Sequence, residues 1–287
     1  MSRLAAAAAS ARANRAADFC TTCNNRRYRT RAGNEQAVAA RCPACSAVCA
    51  DCDGRGYTFV TDWTGALVAS PCGCAELDRR IALFNAARLP RRYAEADLEA
   101  GTRDVNDSVR VARLACYKLT VGFKPGDPGI GLTGPVGCGK THMMAGIVRA
   151  LTLENGVPCR FVEFTHLLSD LRQGFEKGEG SADTIAEVVA APVLVIDELG
   201  KGLTTQWQKD TLDELISRRY NSQVTTLFTS NFAADRALTS AARARDAFEA
   251  ATLDERVGPR MASRLAEMCR IVAIDAPDYR RRDTAGG

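Results

Sequence analysis

Across the C-terminal two thirds of the chain, apolar residues recur in two alternating rhythms. Short runs read as strands: Gly129-Ile130-Gly131-Leu132-Thr133, buried; Val193-Leu194-Val195-Ile196, apolar throughout and so buried on both faces; and residues 158–163, 224–229 and 271–274. Between them, apolar positions spaced by three and four residues read as helices over 76–89, 105–121, 141–154, 164–175, 182–190 and 204–220, with helical, Ala-rich sequence from there to Met268. The 141–154 helix carries Met143, Met144, Ile147, Val148 and Leu151 at helical spacing, and Asn155-Gly156 is its stop. Leu77, Ile81, Leu83 and Phe84 form the apolar side of the first helix, which Pro90 ends. Residues 173–181, Gly-rich and charged, read as a mobile loop. Strands and helices in alternation predict an α/β fold, a five-stranded parallel sheet between helices.

The N-terminal part follows another logic. Residues 57–60 and 66–69 read as two strands turned at Asp62-Trp63-Thr64-Gly65. Around them, residues 18–75 hold eight of the twelve cysteines as four close pairs: Cys20 and Cys23, Cys42 and Cys45, Cys49 and Cys52, Cys72 and Cys74. Each pair makes a tight knuckle, and two knuckles close a tetrahedral Cys₄ zinc site, so four pairs predict two zinc ions. Zinc would supply folding energy that so polar a segment lacks. Sequential pairing joins Cys20, Cys23, Cys42 and Cys45 in one site and Cys49, Cys52, Cys72 and Cys74 in the other; interleaved pairing satisfies the same spacing. The expected organisation is a flexible tail over 1–17, a zinc-ribbon-like module over 18–75, a helical linker over 76–104, an α/β domain over 105–276 and a basic tail over 277–287.

The chemistry centres on Gly134-Pro135-Val136-Gly137-Cys138-Gly139-Lys140-Thr141, which fits the phosphate-cradling P-loop G-x-x-x-x-G-K-[ST] in its required strand–loop–helix context. Glycines let backbone N–H groups converge on one anion, and the helix N-terminus adds partial positive charge. Lys140 would reach the β- and γ-phosphates of ATP, Thr141 would offer its hydroxyl to Mg²⁺, and His142 directly follows and is grouped with the loop. Downstream, the run 193–196 ends in Asp197-Glu198, a Walker B pair. Asp197 would hold Mg²⁺ through water, and Glu198 would polarise the water attacking the γ-phosphate.

Composition narrows the class. A chain of 287 residues accommodates one large domain with a small accessory one, and 46% hydrophobic residues support a core. The net charge of +4 neither demands nor excludes nucleic acid. Arginines cluster at 26, 27, 29 and 31 and again at 280–282. No apolar run is long enough to span a membrane, so no membrane partner is expected. Ala-rich residues 1–17 lead straight into the cysteines and read as a tail rather than a signal peptide. Metal-type cysteine pairs beside an ATPase motif predict a reducing, cytoplasmic location, with Cys116, Cys159 and Cys269 as small buried apolar residues.

An ordered series of motifs carries a family resemblance: Leu89-Pro90-Arg91-Arg92-Tyr93, the P-loop, Phe161-Val162-Glu163-Phe164, Asp197-Glu198-Leu199-Gly200, Arg218-Arg219-Tyr220-Asn221, Phe228-Thr229-Ser230-Asn231, residues 256–265 and Asp278-Tyr279-Arg280. Over residues 89–282 the chain resembles the AAA+ ATPases of the DnaC/DnaI helicase-loader and IstB transposition-helper clade. The resemblance implies that Asn231 is sensor 1, although an Asn between strand and helix also suits an N-cap. It implies an arginine finger at Arg264, with Arg260 as alternative or accomplice. The 13 residues after Ile274 leave no room for a helical lid, so sensor 2 is absent unless Arg280 replaces it, and homo-oligomers would depend on ATP, DNA or a partner. Single-stranded DNA is an implied partner, with Lys201, Thr204, Thr205, Lys209, Arg218 and Arg219 as candidates. Trp207 reads as core, and the two histidines, His142 and His166, as structural.

Cys49-Ala50-Asp51-Cys52-Asp53-Gly54-Arg55-Gly56 resembles one C-x-x-C-x-G-x-G repeat of DnaJ-type zinc regions. The implied function is ATP-dependent loading of a replicative DnaB-type helicase onto single-stranded DNA, with ATP hydrolysed to ADP and phosphate and the zinc module gripping the helicase. Two alternatives stand beside it: an IstB-like ATPase helper of a transposase, and a zinc-module adaptor regulated by ATP. The intact set Lys140, Asp197, Glu198 and Asn231 argues against the adaptor.

Overall fold

The computed structural model describes residues 19–46, 48–99, 106–177, 181–234 and 251–279. The expected tails over 1–17 and beyond 279, including Arg280, lie outside the described residues, as do 100–104 of the linker, Val105 at the start of the next predicted helix, 178–180 of the loop and 235–250 of the Ala-rich stretch. Two antiparallel hairpins come first: β1 (Tyr28–Ala32) with β2 (Ala37–Arg41), and β3 (Tyr57–Thr61) with β4 (Leu67–Pro71). Helix α1 (Gly73–Ala86) leaves β4 directly. Then follow α2 (Asp107–Thr120), β5 (Gly129–Thr133), α3 (Lys140–Arg149, prolonged by a π turn over Ala150–Glu154) and β6 (Cys159–Glu163). Next come α4 (Phe164–Lys177), α5 (Ser181–Ala190), β7 (Val193–Asp197) and α6 (Gln206–Asn221). The last elements are β8 (Thr225–Ser230), α7 (Leu253–Val257), α8 (Pro259–Met268) and β9 (Cys269–Ala273).

Five strands make one parallel sheet in the order β6-β7-β8-β5-β9. The central β7, β8 and β5 are buried at every position; β7 is apolar up to Asp197, whereas β8 buries Thr225, Thr226, Thr229 and Ser230, each with its hydroxyl hydrogen-bonded. The two-residue period divides β7 between the two faces. Val193 and Val195 join one apolar cluster with Ala112, Met144 and Val148 of α2 and α3; Leu194 and Ile196 join the other with Leu168, Leu212 and Leu265 of α4, α6 and α8. Gly131 answers a close approach: a Cβ there would lie 2.3 Å from the Phe228 ring on the neighbouring strand.

The structure departs from the sequence reading at the joints. The hairpin of β1 and β2 was not legible, yet Tyr28, Ala37 and Ala39 are buried in the same cluster as Ile130 and Leu132. The hydrophobic core therefore crosses the expected boundary between residues 75 and 92. Helix α1 starts early, with Cys74 in its first turn, and ends before Leu89 because Arg88 turns left-handed (φ +55°). That turn buries Leu89, whose carbonyl accepts the Ala37 N–H at 2.8 Å. Helix α4 continues to Lys177 through part of the predicted loop, its buried Leu171 anchoring the turn before it. Among the described residues no helix is long and apolar enough to cross a membrane.

Candidate functional site

The loop between β5 and α3 turns sharply. Gly137 and Gly139 take φ of +80° and +96°, which side chains tolerate poorly. Lys140 begins α3 and is buried; its Nζ donates to the carbonyls of Gly134 and Pro135, both at 2.7 Å. Burial pushes its ammonium below the usual lysine range, and the Cys138 thiol and Asp197 oppose that shift. A cavity of about 330 Å³ opens beside the loop. The loop, Thr141 and His142 line one side, Glu198, Thr229 and Asn231 another, and Tyr93, Asp97 and Leu98 the far wall. The sheet thus gathers every residue assigned to the nucleotide around one cleft, except Gly134, Pro135 and Asp197, which stand just behind it.

Asp197 ends β7 next to Thr229 of β8. Its Oδ1 accepts the Thr229 hydroxyl at 2.6 Å and the Thr141 hydroxyl at 2.9 Å. Burial pushes this carboxyl up, and the two hydroxyls work against the shift. Thr141 and Asp197 are oxygen donors suited to Mg²⁺, which would offset phosphate charge there. Glu198 adopts a left-handed backbone (φ +57°), a strained state for a non-glycine residue costing about 1–3 kcal/mol. Its N–H donates to the Thr229 hydroxyl at 2.9 Å and its carboxylate meets Lys201 Nζ at 2.5 Å. Thr229 lay inside a motif noted in the sequence, but its two bonds depend on the pairing of β7 beside β8.

Two contributors, Asp278 and Tyr279, stand in a motif of the resemblance but carried no assigned role. A Cβ at Gly137 would sit 1.9 Å from Asp278 Oδ1, and the Tyr279 N–H donates to the Gly137 carbonyl at 3.1 Å. The segment after β9 therefore runs over the phosphate loop, and Tyr279 lines the cavity. His142 lines it too and is half-buried, with burial pushing its imidazole down.

The eight N-terminal thiols fall into the sequential grouping, Cys20, Cys23, Cys42, Cys45 and Cys49, Cys52, Cys72, Cys74, each within 4.8 Å. Sulfur pairs stand 3.4–3.9 Å apart, too far for disulfides and close to the ~3.8 Å edge of a tetrahedron with ~2.3 Å Zn–S bonds. The N–H groups of Arg27 and Gly56 point at Cys23 and Cys52 sulfurs, each at 3.3 Å, as a thiolate would want. Both donor sets fit zinc, which would tie the knuckles together.

The remaining candidates separate. Arg219 is fully buried and donates to Thr226 Oγ1 and to the carbonyls of Val188, Val189, Ala191 and Thr225. It pins α5 and β8 to α6 and is unavailable to DNA; burial brings its guanidinium down to about 10. Arg218, Lys201, Thr204, Thr205 and Lys209 are exposed. Trp207, expected in the core, is instead 37% exposed beside Thr165, Leu168 and Arg172, because α6 turns its N-terminal turn away from the sheet. Arg264 donates to Ser217 and Asp213 of its own α6 and lies 5.6 Å from the Tyr220 ring centroid. Arg260, one turn earlier, is 71% exposed. His166 is exposed on α4, 3.6 Å from Glu163.

The family model described as IstB-like ATP binding protein matches residues 67–286. The chain belongs to that family. As an IstB-like ATP binding protein it carries the AAA+ P-loop ATPase fold. It is 27% identical over 150 residues to the replicative helicase loader DnaI of Bacillus subtilis, covering 50% of this chain and 48% of the relative. It is 30% identical over 155 residues to the Mycobacterium tuberculosis protein Rv3427c, named as an ATP-binding protein in an insertion sequence, covering 54% and 57%. The chain thus spans about half the length of the curated relatives it matches. The crystal structure of the DnaC helicase loader superposes with a TM-score of 0.56 and 26% identity, over 64% of this chain and 99% of that one.

Proposed function

We propose that the protein is an ATP-dependent loader of a replicative DnaB-type helicase. The observation that carries the reading is the likeness to the DnaC helicase loader over nearly the whole of that chain, joined here to a cysteine module of two four-thiol sites with an exposed apolar tip. Lys140 and the loop N–H groups bind the phosphates of ATP; Thr141 and Asp197 hold Mg²⁺; Glu198 takes the proton of the attacking water; Asn231 orients that water. Arg264 or Arg260 serves a neighbouring subunit; the exposure of Arg260 favours it as the group that reaches across, with Arg264 anchoring its helix on α6. Exposed Lys201, Thr204, Thr205, Lys209 and Arg218 track the backbone of single-stranded DNA. Each chain holds two zinc ions and works in the cytoplasm, in assemblies that ATP, DNA or the helicase bring about.

The test is capture by tagged Glu198→Gln protein in its own host, where slowed hydrolysis traps the ATP-bound complex. A replicative helicase as main partner supports the loader. A transposase supports the second reading, a transposition helper, which the identity to Rv3427c favours. An unmutated protein that binds ATP but never turns it over, with or without DNA, would sink both in favour of an ATP-regulated adaptor.

A further inference from the structure

The far wall of the nucleotide cavity does not belong to the sheet. Tyr93, Asp97 and Leu98 lie in the connection between α1 and α2, and the first hairpin braces that connection along its length. Asn85 exchanges two hydrogen bonds with the Ala39 backbone, at 2.7 and 3.1 Å. The Leu89 carbonyl accepts the Ala37 N–H at 2.8 Å, and Arg91 donates to the Asn34 carbonyl at 3.2 Å. At the end of the connection, Arg26 donates to Asp97 at 2.9 Å, and the same carboxylate oxygen meets Arg149 of α3 at 2.6 Å. Arg26 stands in the first cysteine knuckle: its N–H donates to the Cys23 carbonyl at 3.0 Å, and the next N–H, of Arg27, to the Cys23 sulfur. Leu98 then packs on α3 so closely that a Cβ at Gly146 would lie 2.9 Å from its Cγ.

We propose that the first Cys₄ site is a positioning element of the nucleotide site: through Arg26, in its first knuckle, it holds Asp97, and with it the wall of the cavity against which the nucleotide is seated. The chain of contacts is short and polar at its centre. Asp97 is 11% exposed and Arg149 7%, so the carboxylate cannot turn to solvent without leaving a buried guanidinium unpaired. Burial would raise the Asp97 carboxyl, but the Glu99 N–H, Arg149 and Arg26 outweigh it and hold it at about 2. Among the described residues the second site has no contact of this kind with Asp97: its cysteines form a cluster of their own, tied to the chain through the start of α1 and the Cys74 carbonyl, which accepts from Arg41 of β2. Nucleotide affinity therefore depends on the first metal site more than on the second. The inference rests on ATP binding and is independent of whether the client is a helicase.

The test uses the full-length protein with a fluorescent ADP analogue and steady-state ATP hydrolysis. Arg26→Ala, at a one-third exposed side chain, is expected to weaken the analogue's Kd and raise the KM for ATP by about fivefold or more, with kcat within twofold and an unchanged melting temperature. Arg26→Lys restores part of the affinity. Cys42→Ser, with its zinc content measured, lowers affinity likewise, whereas Cys49→Ser loses one zinc and lowers affinity less. Arg26→Ala binding as tightly as the unmutated protein overturns the proposal, as does equal loss in the Cys42 and Cys49 variants. Should Cys42→Ser not fold, Arg26→Ala compared with Arg26→Lys and Cys49→Ser decides alone. An unmutated protein without measurable nucleotide binding overturns the proposal together with the ATP reading beneath it, whereas a failed helicase capture leaves the proposal standing.

Discussion

Lys201 Nζ lies 2.5 Å from the Oε2 of Glu198, three residues away on the turn that follows β7. The pair draws the carboxylate assigned to the attacking water toward a half-exposed ammonium. In the state described, one oxygen of the Glu198 carboxylate is held by its own chain, and the ion pair would compete with the base role proposed for it.

Lys201→Met is expected to raise ATP hydrolysis without DNA about two- to fivefold, the worth of a pair this exposed. A fall in the rate would show instead that Lys201 assists catalysis. Glu198→Gln is expected to cut turnover by about 10²–10⁴ while leaving nucleotide affinity within twofold, as loss of a general base does. Phosphate release and analogue binding measure the two effects separately.

Asp197→Asn separates catalysis from stability. The side-chain amide oxygen still accepts the Thr141 and Thr229 hydroxyls, but no charge is buried. Because burial raises the folded-state pKa of Asp197 above its unfolded value, the folded protein holds the proton more tightly, and stability declines as pH rises through that interval. The variant is therefore expected to melt at or above the unmutated protein's temperature at neutral pH, the difference vanishing in acid. Hydrolysis should fall about 10²–10³-fold with loss of a magnesium ligand. A variant that melts lower at neutral pH would contradict the burial argument.

Arg219 and Arg218 are neighbours with opposite roles. Arg219→Ala strands four buried carbonyl acceptors and a threonine hydroxyl and should cost about 3 kcal/mol or more by urea unfolding. Arg218→Ala, with only an exposed Glu214 pair at 3.2 Å, should change stability by less than about 0.5 kcal/mol. Its effect, if the DNA reading holds, is a smaller salt dependence of single-strand binding.

The tip of the second hairpin exposes Phe59, Trp63 and Leu67, Trp63 at 96% and Leu67 at 72%. Trp63→Ala and Leu67→Asp should change the melting temperature little, since both side chains are largely exposed. Helicase capture should weaken about 30-fold, as truncating a central aromatic anchor does. Capture unaffected by both changes would remove this hairpin from the client interface. These point changes are cleaner than deleting the module, because Tyr28, Ala37 and Ala39 belong to the ATPase core.

Much of the catalytic cleft could be read from residue order. A P-loop and a Walker B strand are local: each functional group sits within a few bonds of the glycine turn or strand end that aims it. The five sheet strands were legible because each is a short run centred on apolar residues between helical stretches, even where β8 buries threonines and the edge strands β6 and β9 carry Arg160 and Arg270. The hairpin of β1 and β2 escaped because only one of its faces is covered, and Arg29 and Arg31 on the other read as a charge cluster. Arg219 and Trp207 were misplaced for one reason: the sequence shows that α6 is a helix but not which way it faces.

By itself, then, the sequence determined the α/β alternation, the phosphate loop with its carboxylate partners, and four cysteine pairs in metal spacing. Each depends on residues near one another in the chain. Only the tertiary structure decided which cysteines share a site, that Thr229 supports Asp197, that Asp278 and Tyr279 cover the phosphate loop, and that Arg26 reaches Asp97, 71 residues away. Those contacts arise when strands pair and layers pack. Local chemistry names the groups; burial and pairing between distant segments choose their neighbours.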